Sequence, residues 1–581
     1  MRLATKVLCS SIVFATTASA QQPLDHRELA ADQQIIHALN RLTFGPRPGD
    51  APKVRAIGLD KWVDLQLHPE RIDNRSLEKF VARYSVLRQD QNDLLREFTV
   101  AQRERREARR EGGDSAMRPD RDNPALQGIA LNRRRLMGEL QSSRVARAVA
   151  SSRQLEEVMT DFWLNHFNIY AQKGPPEAYY LAGYERDVVR PRALGKFRDL
   201  LEAVAKSPAM LFYLDNARSM ADSTRPRLTR ARRNAVRPGG LIRGLNENYG
   251  RELLELHTLG VDGGYTQQDV INVARALTGW TIRLPAAGGG FIFRPEMHDA
   301  GEKIVLGHNL RAGRGIEDGE EVLDIVARHP STARYIATKL ARRFISDNPP
   351  QSVIDRAAAV FLKTDGDIRE TVRAIITSNE FYSQQAYRAK VKSPFEVVVS
   401  AMRAMNAEPD STPRTAQMIA YLGQPVYGHQ APNGYPETGD AWMNTGAILN
   451  RINFGIAAAA NRIPGARVNA IPGLDTLVNA PRATQVDAVV SILLGGSASP
   501  DTRAVLTSGE NPLLGKGESA LPVAMGNPDD TMMTTDVQRP NGQRRGAGPN
   551  PFGRPNAQAP RLTGLAQVVG LAIGSPEFQR R

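Results

Sequence analysis

A histidine–aspartate pair in a glycine-flanked turn offers the clearest candidate for chemistry. His298 and Asp299 lie between predicted strands, where a scaffold positions side chains that its packing does not need. Asp299 could orient His298 as a general base or stabilise its charge, and Lys303 could supply positive charge to an anion. The alternative is a structural turn in which Asp299 accepts backbone N–H bonds and Lys303 is merely exposed. Because Asp and Gly are common turn residues, the structural alternative is favoured.

A polar helix predicted from Asn246 to Leu259 supplies carboxylates for acid–base chemistry. At ~100° per residue, one broad arc holds Glu247, Asn248, Arg251, Glu252 and Glu255. His257 falls on the other side of this helix. The functional hypothesis makes Glu252 or Glu255 a proton acceptor or a cation ligand. The structural alternative is an ion triplet in which Glu247 and Glu255 bracket Arg251, and it is favoured because buried charges require partners.

An aromatic, loop-like run from Gly423 to Arg451 could form the wall of a binding site. It mixes proline and glycine with Tyr427, His429, Tyr435 and Trp442. Aromatic faces on loops can stack on sugars or cover a cleft, although they more often fill gaps between helices. The candidate catalytic residues are His298, Asp299, Glu252 and Glu255. The candidate ligand-binding residues are Asn248, Arg251, Lys303, His257, Trp442 and Asn444.

Three histidines could carry a non-covalent metal or cofactor, namely His166, His257 and His298. His166 lies on an apolar stripe, which is more typical of a core histidine than of a metal ligand. Glu252 and His257 are not spaced as the Glu-x-x-His of a di-metal carboxylate bundle. The sequence also lacks a His-Glu-x-x-His zinc helix and a Gly-x-Ser-x-Gly hydrolase elbow. It therefore identifies no particular metal or cofactor.

The first twenty residues have the pattern of a secretory signal peptide. Arg2 and Lys6 precede an apolar run, and Ala18-Ser19-Ala20 is a small-x-small cleavage site. The run is shorter than the ~20 residues of a membrane-spanning helix, so we expect a secreted or periplasmic protein with no transmembrane segment after signal removal. Cys9 lies inside the signal, so disulfides, thiolate metal sites and cysteine nucleophiles are excluded from the processed chain.

The chain is strongly basic, with a formal net charge of +14 over 581 residues. This charge favours an anionic partner outside the membrane, such as lipid headgroups, an acidic polysaccharide or an acidic protein. Nucleic acid is not expected for an exported protein. Much of the excess falls in two stretches predicted to be solvated, which are Arg-rich exposed helices at 87–146 and a basic loop at 218–244.

Helical periodicity dominates the chain, which predicts a mainly α, multi-helix globular body. Residues 21–495 are expected to form one large domain. Strand patterns at Thr281–Arg283, Phe291–Arg294 and Lys303–Leu306 predict a small antiparallel β-hairpin or three-stranded sheet near 281–306. Residues 496–560 are a low-complexity segment rich in Gly, Pro and Arg. A C-terminal helix within 561–581 is expected to dock back on the body.

Several stretches of the sequence resemble the family called domain of unknown function 1800. They are the run from Asn246 through Gly260 to Trp280, the motif His298-Asp299-x-Gly301-x-Lys303, the segment from Gly423-Gln424-Pro425 through Trp442 and Asn444, and the shorter runs Leu42–Gly45 and Phe162–His166. The resemblance extends from about Asp32 to the C-terminus. It implies an exported bacterial protein of unestablished activity. Members are often encoded beside a second family, domain of unknown function 1501, which resembles alkaline phosphatases and sulfatases and is a candidate partner.

Three functions stay open from the sequence. The first is a binding or assembly factor that works with another exported, phosphatase- or sulfatase-like protein. The second is a hydrolase or lyase that acts on an envelope or extracellular glycan through the His–Asp pair and the carboxylates. The third is a metal or cofactor binder. The site hypotheses require the polar face of the carboxylate helix to point inward and meet the His298–Asp299 turn.

Overall fold

The computed structural model describes residues 27–111, 124–222, 224–228, 244–283, 287, 289–510 and 562–581. The predicted signal peptide, most of the basic loop and most of the low-complexity segment lie outside these residues. The described part contains 24 α-helices and two small two-stranded sheets. This confirms the predicted mainly α fold with a small antiparallel component.

Among the described residues up to His166, the chain forms eight α-helices. They are α1 (Ala31–Leu42), α2 (Asp50–Ile57), α3 (Leu59–Leu67), α4 (Arg75–Val81), α5 (Ser85–Arg88), α6 (Gln91–Glu111), α7 (Pro124–Ala150) and α8 (Gln154–His166). Gly58, with a φ of 93°, separates α2 from α3. The second half of α7 contributes Leu136, Leu140 and Val149 to the core. The stretch predicted as exposed helices at 87–146 is therefore exposed only in part.

Two π-helices interrupt the central helices. This part contains α9 (Glu177–Gly183), a π-helix (Tyr184–Val189), α10 (Phe197–Ala205), α11 (Pro208–Tyr213), α12 (Asn248–Glu252), a second π-helix (Leu253–Thr258) and α13 (Gln267–Ala276). The polar helix predicted from Asn246 to Leu259 is thus a short α-helix that widens into a π-helix. The backbone N–H of Leu259 accordingly donates to the carbonyl of Leu254, five residues back. Such turns are rare and recur at functional sites.

The four short strands form two separate antiparallel hairpins. They are β1 (Trp280–Ile282), β2 (Phe291–Phe293), β3 (Lys303–Val305) and β4 (His308–Leu310). Thr281 pairs with Ile292 in the first hairpin, and Ile304 pairs with Asn309 in the second. The third predicted strand therefore pairs with the unpredicted β4 and not with the first two. Leu306 and Gly307 both have positive φ, which is the geometry of a tight type I′ turn.

The remaining helices complete the body. They are α14 (Glu317–Ala327), α15 (Pro330–Phe344), α16 (Gln351–Lys363), α17 (Ile368–Ile376), α18 (Pro394–Ala404), α19 (Arg414–Tyr421), α20 (Thr445–Ala459), α21 (Arg482–Leu493), α22 (Pro500–Ser508), α23 (Gly564–Gly574) and α24 (Pro576–Gln579). Helix α22 lies inside the segment predicted as low-complexity. Helix α23 contacts α20 and α21 and buries Val568 and Val569.

One continuous hydrophobic cluster runs through the body, with members from Ala38 in α1 to Phe578 in α24. Distant parts of the chain are also joined by polar contacts. The buried guanidinium of Arg41 donates to the carbonyls of Ile345 at 2.9 Å and Ala386 at 2.6 Å. Within the described ranges, no helix combines the length and apolarity needed to cross a membrane.

Candidate functional site

The His298–Asp299 turn forms a buried ionic cluster. His298 is 0% exposed and Asp299 is 1% exposed. Asp299 accepts hydrogen bonds from Arg275 Nε at 2.7 Å and from the backbone N–H of Gly301 at 2.9 Å. His298 Nδ1 donates a hydrogen bond to the carbonyl oxygen of Thr278 at 2.8 Å. Asp299 thus pairs with an arginine instead of orienting His298, and this turn does not present the general base that the functional hypothesis required.

Lys303 is equally buried and has three acceptors. Its Nζ donates to the carbonyls of Asp299 at 2.6 Å and Gly301 at 2.8 Å, and to Asp318 Oδ2 at 2.6 Å. Burial raises the pKa of Asp318, but hydrogen bonds from His298 and Lys303 outweigh this effect and lower it. The lysine is therefore neither an exposed turn residue nor a charge available to a bound anion. Its contacts tie the turn and β3 to α14.

Helix α13 separates this cluster from the carboxylate helix. Gly250 of α12 packs so closely on α13 that a Cβ there would lie 2.9 Å from both Val270 O and Ala274 N. Asn272 and Arg275 of α13 bond instead to Ile304 O and Asp299. At ~100° per residue, Val270 and Ala274 lie on nearly the opposite side of α13 from Asn272 and Arg275. The expectation that the polar helix meets the His298–Asp299 turn is therefore wrong.

The polar arc of α12 and its π-helix faces outward. Asn248 is exposed, whereas Glu252 and Glu255 are half-buried. Arg251 lies 3.7 Å from Glu247 and donates to Gln267 at 2.9 Å, so the predicted ion triplet is reduced to one long contact. Burial, assisted by the negative charge of Glu255, raises the pKa of Glu252. Glu252 is thus the carboxyl group of this arc that holds its proton more firmly than usual.

The C-terminal end of α8 holds the aromatic loop through two asparagines. Asn165 Nδ2 donates to the carbonyl of Tyr435 at 2.9 Å, and its Oδ1 accepts the N–H of Tyr435 at 2.7 Å. Asn168 donates to the carbonyls of His429 at 3.1 Å and Ala431 at 2.8 Å. Gly434 has a φ of 73°, and a Cβ there would lie 2.2 Å from the Asn165 carbonyl. This close approach requires glycine.

The same end of α8 also contacts the second π-helix. His166 Nε2 lies 3.0 Å from the carbonyl oxygen of His257, and the rings of Phe167 and His257 are 5.1 Å apart. Burial, with a smaller effect from Lys339, lowers the pKa of His257 to about 3. Both histidines are core residues with neutral rings. Among the described residues, no group of three or more His, Cys, Asp or Glu side chains could hold a metal ion.

Two of the longer segments that resemble the family, the run from Asn246 to Trp280 and the segment from Gly423 to Asn444, therefore meet at one place, around α8. Tyr213 OH donates to the carbonyl of Gln430 in the aromatic loop at 2.7 Å. Burial is the main cause that raises the pKa of Tyr213, and the nearby Glu252 adds to it. On the other side, Lys339 lies within electrostatic range of both His257 and Glu437. The carboxylates and the aromatic loop thus share a neighbourhood that excludes His298.

A polar cavity of about 50 Å³ lies behind the aromatic loop. Its walls include Arg144, Asp161, Asn165, Arg343, Tyr435 and Glu437. Arg144 pairs with Asp161 at 2.5 Å. Arg343 and Arg581 both bind the same oxygen of Glu396, at 2.8 and 3.2 Å. Three guanidinium groups therefore surround two carboxylates.

The remaining charges near the cavity pair among themselves. Glu437 accepts a hydrogen bond from Asn165 and lies in the field of Lys339, while Lys390 pairs with Asp347. Nε and Nη2 of the buried Arg343 have no hydrogen-bond partner among the described residues. The cavity is therefore suited to an anionic group.

A strained tyrosine forms another part of the cavity wall. Tyr427 has a φ of 60°, in the left-handed region that favours glycine. Its hydroxyl donates to Glu185 of the first π-helix, and Glu185 also binds Arg190 at 2.5 Å. The guanidinium of Arg144 lies 5.2 Å from the Tyr427 ring centroid. Burial, followed by the charge of Glu185, raises the pKa of Tyr427 and keeps it protonated as the donor.

A row of rings leads from the cavity to the surface. Tyr435 lies 4.6 Å from His429 and 5.9 Å from Trp442, measured between ring centroids. Trp442 Nε1 donates to the carbonyl of Pro436 at 3.1 Å. The predicted ligand residue Asn444 instead caps α20, because its Oδ1 accepts the N–H of Ala447 at 2.8 Å.

Sequence reasoning missed the guanidinium and carboxylate walls of the cavity. Arg144, Asp161 and Arg343 belong to no recognised motif and lie on three different helices. Asn165 was noticed only through the resemblance. The polarity of α8 at Asp161 and Asn165, on a helix with many buried apolar residues, was the available indication.

Comparison with known proteins places the whole fold in one family. A family model described as "Protein of unknown function (DUF1800)" matches residues 37–580, which is nearly the whole chain. No curated protein and no solved structure matches the chain.

Proposed function

Because the chain belongs to the DUF1800 family, whose description assigns no activity, we propose from its site that it is an exported binding protein for an acidic glycan. A carboxylate of the glycan enters the polar cavity, and neighbouring sugar rings lie along His429, Tyr435 and Trp442. The observation that carries this proposal is Arg343, a buried guanidinium whose Nε and Nη2 make no hydrogen bond among the described residues, in a cavity lined by one ring of the aromatic row. Its nearest charge on that side is Asp161, at 3.9 Å from Nη2.

The size of the cavity supports a mode of binding in which only the carboxylate enters it and the sugar rings lie outside. Pockets that enclose a whole small molecule measure roughly 300–1,000 Å³, so a cavity of about 50 Å³ accommodates a single functional group. A carboxylate matches the planar fork of a guanidinium. The rest of the ligand must then lie outside, where Trp442 is half-buried and offers apolar surface for stacking.

The proposal is tested by calorimetric titration of the purified protein with trigalacturonate and with its neutral methyl ester. We expect the acid to bind and the ester to bind at least about tenfold more weakly, a difference of ~1.4 kcal/mol. Arg343→Gln should remove this preference. Arg334→Gln is the matched control, because Arg334 lies on the same helix with a 61% exposed side chain. Trp442→Ala should weaken binding of the acid and the ester alike.

Thermal melts of each variant separate loss of binding from loss of folding. Equal affinity for acid and ester, or undiminished acid binding by a folded Arg343→Gln protein, would overturn the proposal.

We propose in addition that the protein binds a second exported protein through exposed apolar residues next to Trp442. Met443, Ile448 and Leu449 are 39%, 37% and 37% exposed, and apolar groups of this size at one place favour a protein contact. A phosphatase- or sulfatase-like exported protein is the proposed occupant. Ile448→Ser should abolish its stoichiometric recovery by the purified protein, whereas Val478→Ser, at another exposed site, should not. Absence of any such partner from an envelope extract would contradict this part.

A second candidate function is hydrolysis or lyase cleavage of the same glycan. The favouring observation is the raised pKa of Glu252, since a carboxyl group with a raised pKa can serve as a general acid. In this function Glu252 donates the proton and Glu255 accepts one. Glu252→Gln should abolish product formation while trigalacturonate still binds, and Glu247→Gln should have no effect on cleavage. A wild-type protein that binds trigalacturonate without cleaving it would exclude this function.

A further inference from the structure

A second, larger cleft lies on the opposite side of Glu185 from the aromatic loop. It measures about 250 Å³ and is enclosed by α4, α5, α7 and the π-helix Tyr184–Val189. Its floor is apolar and includes Val81, Leu87, Leu140 and Ala182. An apolar floor of this kind is covered most favourably by a hydrocarbon group.

Arginines dominate the rim of this cleft. Arg88, Arg147, Arg186 and Arg190 line it together with two carboxylates, Glu78 and Glu185. Arg147 is held by Glu78 through two hydrogen bonds of 2.8 and 3.1 Å. Arg186 pairs with Asp187, and Arg190 is shared by Glu157 and Glu185. Carboxylates therefore neutralise three of the four arginines.

Arg88 differs from the other three arginines. It is exposed, and its guanidinium makes no hydrogen bond or ion pair within the described part of the chain. An uncommitted cation at the mouth of an apolar cleft matches a ligand with an apolar body and one negative charge at its end. The volume lies below the usual range for drug-sized ligands, which restricts that body to a short chain or a single ring.

We propose that this cleft is a second ligand site, which binds a small anionic amphiphile such as a short-chain carboxylate. The apolar tail covers Val81 and Leu140, and the carboxylate faces Arg88. This site is separate from the proposed glycan site, because it has its own floor and its own cation.

Octanoate is the probe that tests this site. Octanol, which has the apolar chain without the charge, and acetate, which has the carboxylate without the chain, are the two control compounds. Calorimetry on the wild-type protein should show that octanoate binds at least about tenfold more tightly than either of the other two. Ala82→Phe should abolish octanoate binding, because Ala82 is exposed and lines the cleft, so a larger side chain there fills the space without disturbing the core.

Arg88→Gln tests the charge. It should weaken octanoate binding about tenfold and bring it close to that of octanol. Arg134→Gln is the control, because Arg134 is an exposed arginine of α7 that does not line the cleft. Equal binding of octanoate and octanol, octanoate binding that survives Ala82→Phe, or no binding of octanoate would each overturn the proposal. None of these results bears on trigalacturonate, so the two proposals fail independently.

Discussion

Three histidines lie in the core with rings that resist protonation. The pKa values of His37, His166 and His257 are all lowered, and burial is the largest cause for each. For His257 the folded pKa is about 3, against an ordinary value of 6.5. Lys339 and His166 are the titratable neighbours that face it. Protonation of this ring would place an unpaired charge in the core.

Mild acid should therefore destabilise the protein through His257. Between pH 6.5 and 3 the unfolded chain binds the proton and the folded chain does not, so stability is full above 6.5 and falls as the pH drops. His257→Asn should reduce the fall in melting temperature between pH 6.5 and 4.5. The exposed His308→Asn is the control. Glu177 and Glu252, whose pKa values are raised, titrate in both proteins and cancel in the comparison. An unchanged slope in His257→Asn would contradict the prediction.

Lys303 should matter for stability and not for ligand binding. Its replacement by methionine leaves Asp318 buried beside His298 without its strongest partner. Removing one member of such a buried pair costs about 3–5 kcal/mol, which chemical denaturation of Lys303→Met would measure. Lys53→Met, at an exposed position, should change the free energy of unfolding little. Wild-type stability for Lys303→Met would show that the cluster is not structural.

At the scale of helices, α20 and α23 approach each other through glycine. A Cβ on Gly455 would lie 2.6 Å from the Gly570 carbonyl oxygen and 3.1 Å from the Gly574 nitrogen. Both are backbone atoms, so the helices themselves would have to separate. Gly455→Ala should therefore destabilise the protein by about 1–3 kcal/mol.

Gly128 provides the comparison for this substitution. It lies in α7 with nothing within 4 Å of its added Cβ, so Gly128→Ala should stabilise the protein by up to about 1 kcal/mol. Thermal melts of both variants distinguish the two effects. A neutral Gly455→Ala would mean that the interface adjusts more easily than its geometry implies.

Elements with strong local determinants were predictable from the sequence, and α13 is the clearest example. Thr266 and Asp269 have the spacing of a capping box in the sequence, and both reciprocal hydrogen bonds are present. The π-helix at Leu253–Thr258 was not predictable, because the same apolar spacing also fits an ordinary helix. The carbonyl of His257 is bonded by His166 from α8, a contact that no local pattern encodes.

The whole molecule should unfold as one unit. A single hydrophobic cluster connects α1 to α24, and no separate core of comparable size divides it within the described residues. We expect a single calorimetric transition for the purified protein. Two resolved transitions would show that part of this core unfolds independently.

The candidate site could be predicted only in part, because its residues come from distant parts of the chain. The aromatic loop was identified by composition. The cavity behind it depends on Arg144 of α7 and Arg343 of α15, which come together only in the fold, on either side of Asp161 of α8. The buried ionic cluster around the histidine–aspartate pair could not be predicted, because no sequence pattern identifies Arg275 and Asp318 as its partners.

The hydrogen bonds of Arg41 have a consequence for how a new chain folds. This arginine leaves the ribosome long before its acceptor at Ala386, 345 residues later, has been made. At ordinary rates of translation the delay is roughly 20 to 70 s. Throughout that interval α1 also lacks Phe381 and Tyr382, whose rings pack against its buried His37 in the folded chain. A nascent chain of this protein must therefore be kept from aggregating, and chaperones that hold apolar segments are the natural means.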